Sequence, residues 1–176
     1  MNALAKGIVV ALLHILIVLS LGGKLLYDRA TCPRIWVRTA SVDPNLPIRG
    51  RYITLSLQVH APDLDPNPSP EPKNYYGYSQ FVRLSVENGQ LVAHKSNTPT
   101  GLNIFTRNRQ PAQAGSDVFL LSPSVDFFIA EHAELPRLNR ASDELWAEVT
   151  VPRKGPPRPI QLAIKRGSEW IPLNYR

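Results

Sequence analysis

A chain of 176 residues has room for one domain of common size plus an anchor, and no more. The formal charge of +6 falls to +4 once Lys6 and Lys24, which flank the apolar start, are set aside (18 basic against 14 acidic). No basic run is long enough to form a patch, which argues against nucleic acid as a partner. The single cysteine, Cys32, excludes an internal disulfide and any multi-thiolate metal site.

Between Lys6 and Lys24 lie seventeen residues, Gly7 to Gly23, with no formal charge and only His14 and Ser20 as polar side chains. As a helix they span ~26 Å, a little short of the ~30 Å hydrocarbon layer. The flanking lysines can snorkel outward to make up the difference. A cleavable signal peptide shares these features, but no Ala-x-Ala-like site follows. Residues 1–26 therefore read as a membrane anchor, a single pass held in the lipid bilayer. His14 reads as a tolerated packing residue of that helix. Arg29-Ala30-Thr31-Cys32 lacks the small-residue pattern of a lipoprotein cysteine, so Cys32 reads as a juxtamembrane thiol without a role. Lys24, Arg29, Arg34 and Arg38 follow the span, and a positive-inside count places the domain in the cytoplasm. The short amino tail is instead typical of signal anchors in bacterial envelope proteins, and the expectation adopted is an outward-facing, periplasmic domain.

Residues 27–176 are rich in strand signals, and seventeen prolines across the chain disfavour long helices. Arg34 to Thr39 carries the β-formers Ile35, Trp36 and Val37. Tyr52 to Ala61 alternates for ten residues, with Ile53, Leu55, Leu57, Val59 and Ala61 on one face. The other face is polar or amphipathic, the pattern of an antiparallel sheet with one side on a core. Residues 61–74 are punctuated by prolines and read as an extended, exposed loop.

Further strands are expected at Gln80–Val86, Gln90–His94, Asn103–Thr106, Val118–Leu121, Asp126–Ile129, Glu144–Val151, Pro159–Lys165 and Trp170–Leu173. Glu87-Asn88-Gly89-Gln90 carries hairpin-turn chemistry, and Leu145–Val151 with Ile160–Lys165 reads as a second hairpin. One short helix is expected around Ala130 to Asn139. The fold class is mainly β: an amino-terminal transmembrane helix, then one antiparallel barrel-like or sandwich domain with a short helix.

Candidate chemistry is sparse. His60, Asp63 and Asp65 are a possible cation trio, but intervening prolines hold the chain extended and disperse the ligands. Glu131 and Glu134 around His132 suit the first turn of a short helix through its dipole. Neither calls for a metal, and no motif calls for a cofactor. Lys73, Lys95, Lys154 and Lys165 could each partner a serine, yet no spacing singles out a serine–lysine pair. A membrane-anchored serine–lysine hydrolase is the sharpest catalytic alternative. Tyr75, Tyr76, Tyr78 and Phe81 could line a groove for peptide or sugar, or clamp a loop onto a sheet edge.

Val42-Asp43-Pro44, a spacer holding Leu46 and Ile48, and then Gly50-Arg51-Tyr52-Ile53-Thr54-Leu55-Ser56-Leu57 resemble the motif of the bacterial GDYXXLXY family. Gly50, Tyr52 and Leu55 match it, while Arg51 replaces its aspartate and Leu57 its last tyrosine. Phe127–Glu131, Ala133-Glu134, Leu145–Val151 and Leu162–Ile164 resemble that family's later strand, acidic helix and closing hairpin. The resemblance implies an inner-membrane protein of Gram-negative bacteria, often encoded beside multi-span membrane proteins, and it brings no activity with it. Asp43-Pro44 favours a turn start, and Gly50 suits a positive φ or a close backbone approach. Tyr52 and Leu55 point to opposite faces of one strand, so the motif reads as structural. A permanent cation at Arg51 cannot stand in for a carboxylate in acid–base or metal work. The function expected is a non-enzymatic, membrane-tethered envelope protein that binds another membrane protein.

Overall fold

The computed structural model of the chain describes residues 2–40, 52–64, 78–106, 117–130, 136, 138 and 142–175. They fall into two compact units, Met1–Cys32 and Pro33–Arg176.

The first unit is a single helix, α1 (Ala3–Thr31), of 29 residues, or ~43 Å. It is long and apolar enough to cross a membrane, and its apolar window buries nothing within the protein. A helix that is hydrophobic all round needs an apolar surrounding. Between Gly7 and Gly23 the two polar side chains bond within the helix: His14 Nδ1 donates to the Val10 carbonyl at 2.7 Å and Ser20 Oγ to that of Ile17 at 2.8 Å. Inside hydrocarbon such internal pairing removes the cost of burying a polar group. The helix stops because Pro33 disfavours the α conformation at the residue before it. Cys32 accordingly turns to extended backbone, its N–H closing onto the Asp28 carbonyl at 2.9 Å.

The second unit is a β domain of eleven described strands, in the order expected from the alternation. A four-stranded antiparallel sheet runs β1 (Arg34–Arg38), β9 (Asp143–Thr150), β10 (Arg158–Arg166), β11 (Glu169–Leu173). A closed barrel is formed by β3 (Gln58–His60), β5 (Gln90–Lys95), β4 (Tyr78–Glu87), β6 (Asn103–Thr106) and β7 (Val118–Ser122). Every pairing in it is antiparallel except β3 with β5. A two-stranded ribbon joins β2 (Tyr52–Leu55) to β8 (Val125–Phe128). The β4–β5 connection is the Asn88-Gly89 turn, with φ of 49° and 75°. Two successive positive φ values are what a type I′ hairpin turn requires, and the right-handed twist of the strands selects it.

The expected ten-residue strand from Tyr52 is two strands. After Leu55 the backbone changes partners. The Ser56 carbonyl accepts the Ala40 N–H at 2.8 Å, and the Leu57 carbonyl accepts the Leu121 N–H at 2.9 Å. Opposite this break, Pro123 separates β7 from β8 and has no N–H to offer a ladder. One long bent ribbon results, half of it closing the barrel and half forming the β2–β8 pair. Side-chain alternation survives the change, since Ile53, Leu55, Leu57, Val59 and Ala61 are all buried.

These five join one continuous core with Ile35 and Val37 of β1, Leu145, Ala147 and Val149 of β9, and Leu162 and Ile164 of β10. At its edge Arg166 donates to both carboxylate oxygens of Asp143, at 3.0 and 3.1 Å, and the Asp143 side chain is wholly buried. A buried carboxylate without such a partner would cost several kcal/mol, on the order of 3–5. The helix expected around Ala130–Asn139 and most of the proline-rich loop lie outside the described residues.

Candidate functional site

Of the motif residues, Tyr52 and Leu55 are both on β2 and point apart. Leu55 is fully buried, whereas Tyr52 is 40% exposed. Asp43, Pro44 and Gly50 lie outside the described residues. Tyr52 sits directly across from Phe128 in the β2–β8 register, their ring centroids 6.3 Å apart. Phe128 is 74% exposed, the most open aromatic ring of the described domain surface. Along the same outer face Thr54 donates to Asp126 at 2.9 Å, and Ser56 meets Ser124 at 3.3 Å. The ribbon thus presents an aromatic tip followed by a polar ladder. Phe127, on its inner face, packs edge-on to Tyr175 at 5.9 Å.

A second constellation gathers on β4, β5 and the loop after β3. His94 Nδ1 donates to Asp63 at 2.8 Å, and its Nε2 donates to Glu87 at 2.8 Å and towards Ser85 Oγ at 3.1 Å. Ser85 donates its own proton to Glu87 at 2.6 Å. The outline is that of an Asp–His–Ser line, but the protons run the wrong way for nucleophilic catalysis. Hydrogen bonds to Asp63 first, and then Glu87, hold the imidazole pKa above its ordinary value. Ser85 first, and then His94, hold the Glu87 carboxyl below its own. An imidazolium cannot accept the serine proton that a triad base must take. The group is better described as an ionic clasp, with side-chain exposures of 39% for His94 and 50–51% for the two acids. Asp63 is therefore tied to His94 rather than grouped with His60. Asp65, Glu131, His132 and Glu134 lie outside the described residues, and among the described ones no three His, Cys, Asp or Glu side chains are set to hold a metal ion.

The lysines do not converge on serines in the described region. Ser85 and Ser96 give their hydroxyls to Glu87 and the Thr98 carbonyl. Lys165 lies over indole rings instead, and Lys73 is outside the described residues. Phe81 of the expected tyrosine cluster is partly exposed on β4, whereas Gln80 beside it is buried and donates to the Phe81 and Ser96 carbonyls.

The third feature had no place among the sequence candidates. All three tryptophans of the chain, Trp36, Trp146 and Trp170, lie on the outer face of the four-stranded sheet. Their immediate neighbours Ile35, Val37, Leu145, Ala147 and Ile171 pack towards the core, so alternation turns the indoles outward. Trp170 packs against Trp36 at 5.3 Å and Trp146 at 5.4 Å between centroids, in the tilted geometry that aromatic quadrupoles favour. Lys165 Nζ lies 5.2 and 5.8 Å from the Trp146 and Trp170 ring centroids, within cation–π range. Glu144 accepts the Trp146 indole N–H at 3.0 Å and pairs with Arg38 at 3.1 Å, which fixes the edge of the cluster. Trp36, Trp170, Pro172 and the small floor residue Ala163 enclose an open apolar cleft of about 260 Å³.

No family model, curated protein or solved structure matches the chain.

Proposed function

We propose that this chain is a single-pass, membrane-tethered protein of the bacterial inner membrane, with a periplasmic β domain that binds a membrane-protein partner and performs no catalysis. The anchor reading is supported by α1, which has the length and composition to span and whose apolar window is unburied among the described residues. The observation that carries the binding reading is the Tyr52–Phe128 tip of the β2–β8 ribbon. A phenylalanine left 74% open to solvent beside a half-exposed tyrosine is the kind of rigid aromatic pair that dominates protein interfaces. The Thr54–Asp126 and Ser56–Ser124 pairs beside it supply a polar rim. The resemblance to GDYXXLXY proteins, tethered and encoded beside multi-span membrane proteins, points the same way.

A photo-crosslinking residue at position 128 of the full chain, in native membranes, tests this. One integral membrane protein should be captured from position 128 and not from Lys95, an exposed position on β5. Equal capture from both, or none from 128, overturns the assignment of the ribbon. A reporter fused after Arg176 tests topology, and cytoplasmic activity of that reporter would overturn the periplasmic placement.

A further inference from the structure

The tryptophan face is separate from the ribbon and is not explained by it. Trp170 bridges Trp36 and Trp146, with an apolar cleft between Trp36 and Trp170, and the ring surface such a cluster leaves open is costly to keep in water. Trp170 is 43% exposed, and Trp36 and Trp146 on either side of it are half-buried.

We propose that this face seats in the headgroup layer of the bilayer that α1 spans, so that the domain has a second, non-covalent attachment to the membrane. The inference rests on the membrane-spanning reading of α1.

Chain length makes the seat reachable. α1 ends at Thr31 and β1 starts at Arg34, so Trp36 lies five residues beyond the helix. Five residues reach at most ~17 Å, whatever the orientation of the domain. A helix of 29 residues exceeds the ~30 Å hydrocarbon layer by ~13 Å, so its ends already lie in the interfacial layers. Trp36 is thus tethered within reach of the headgroups, and its sheet brings Trp146 and Trp170 with it.

Chemistry selects the occupant. Tryptophan concentrates at membrane–water interfaces because its ring is apolar while its N–H remains a donor. Lys165 and Arg38 on the same face supply cations at the level where lipid phosphates lie. Glu144 and Glu148 on the outer side of β9 offset much of that charge. The face is therefore suited to the interface generally and not to anionic lipid in particular.

The chain itself provides the probe. All three tryptophans lie in the β domain and none in α1, so intrinsic emission reports on this face alone. The full chain is reconstituted into phosphatidylcholine vesicles, with or without phosphatidylglycerol. Lipid spin-labelled at the headgroup should cut the emission about twofold, and lipid labelled deep in the acyl chain much less. Phosphatidylglycerol should change this little. A variant carrying Trp36→Phe and Trp146→Phe leaves Trp170 as sole reporter, with circular dichroism checking the fold. Emission insensitive to the headgroup label and open to aqueous iodide overturns the seat. Alkaline carbonate washing separates the two readings. Retention in the membrane without headgroup quenching sinks the seat alone, while release without quenching sinks the anchor with it.

Discussion

Replacing Leu55 with alanine tests whether the motif strand earns its place through packing. Leu55 is fully buried in the continuous core. Losing about three methylene equivalents at ~0.8 kcal/mol each removes ~2.4 kcal/mol of transfer free energy. If ~40 Å³ of the vacated space stays empty, a cavity term of ~24 cal/mol per Å³ adds ~1 kcal/mol. The sum, ~3.4 kcal/mol, is roughly a fifth to two-thirds of the ~5–15 kcal/mol that holds a domain folded. In urea, at ~2 kcal/mol per molar, the midpoint should fall by ~1.7 M. The assay is a urea titration of the full chain in mild detergent, followed by tryptophan emission. Tyr52→Ala is the internal control. That side chain is 40% exposed and its main contact is the Phe128 ring at 6.3 Å, so ~1 kcal/mol is expected. If the two substitutions cost the same, or Leu55→Ala costs under ~1 kcal/mol, the packing account of the motif is wrong.

The His94 clasp should show in pH dependence. Its imidazole is raised in the folded state, so its stabilisation is complete below the unfolded value of about 6.5 and fades as pH rises through the folded value. Glu87 is lowered, so its share is complete above about 4.3 and fades as pH falls through the folded value. The stability gap between wild type and His94→Gln should therefore be widest near pH 5.5 or so and close towards alkaline pH; a gap that widens with pH contradicts the clasp. An NMR titration placing the His94 pKa at or below about 6.5 would also count against it. Gly89→Ala puts a Cβ on a residue at φ 75°, which should cost ~1 kcal/mol and lower Tm by ~3 °C, measured calorimetrically. Lys165→Gln removes the ammonium lying 5.2 Å from the Trp146 ring centroid, which should cost ~0.5–1 kcal/mol and alter the near-ultraviolet circular dichroism of the indoles.

Local order was largely readable in advance, because alternation and turn chemistry are local properties. The Asn88-Gly89 turn fixes a register pairing Glu87 with Gln90, Ser85 with Val92 and Arg83 with His94. The approach of His94 to Ser85 follows from that turn alone. Its bond to Asp63, 31 residues away, does not, since it depends on where β3 leaves the barrel. Similarly, alternation turns Trp36 and Trp146 away from the core, but their convergence with Trp170 depends on the order β1-β9-β10-β11. No periodicity encodes that order. The expected single strand from Tyr52 became two because Ala40 and Leu121, distant in sequence, supply the N–H groups that redirect Ser56 and Leu57. Three motif positions, Asp43, Pro44 and Gly50, fall outside the described residues, so their expected turn and glycine roles stand as sequence readings only.

The bent ribbon also bears on how this fold can change in evolution. From Ile53 to Ala61 one stretch of chain feeds two sheets while keeping a single inside–outside rhythm. A residue gained or lost anywhere within it would invert every side chain on one side of the lesion. Either Ile53 and Leu55 would be turned to water, or Leu57, Val59 and Ala61 would be. Substitutions on the outer face, at Tyr52, Thr54 or Gln58, leave that rhythm intact. This segment should therefore tolerate changes of identity on its outer face, while insertions and deletions are confined to the loops around it.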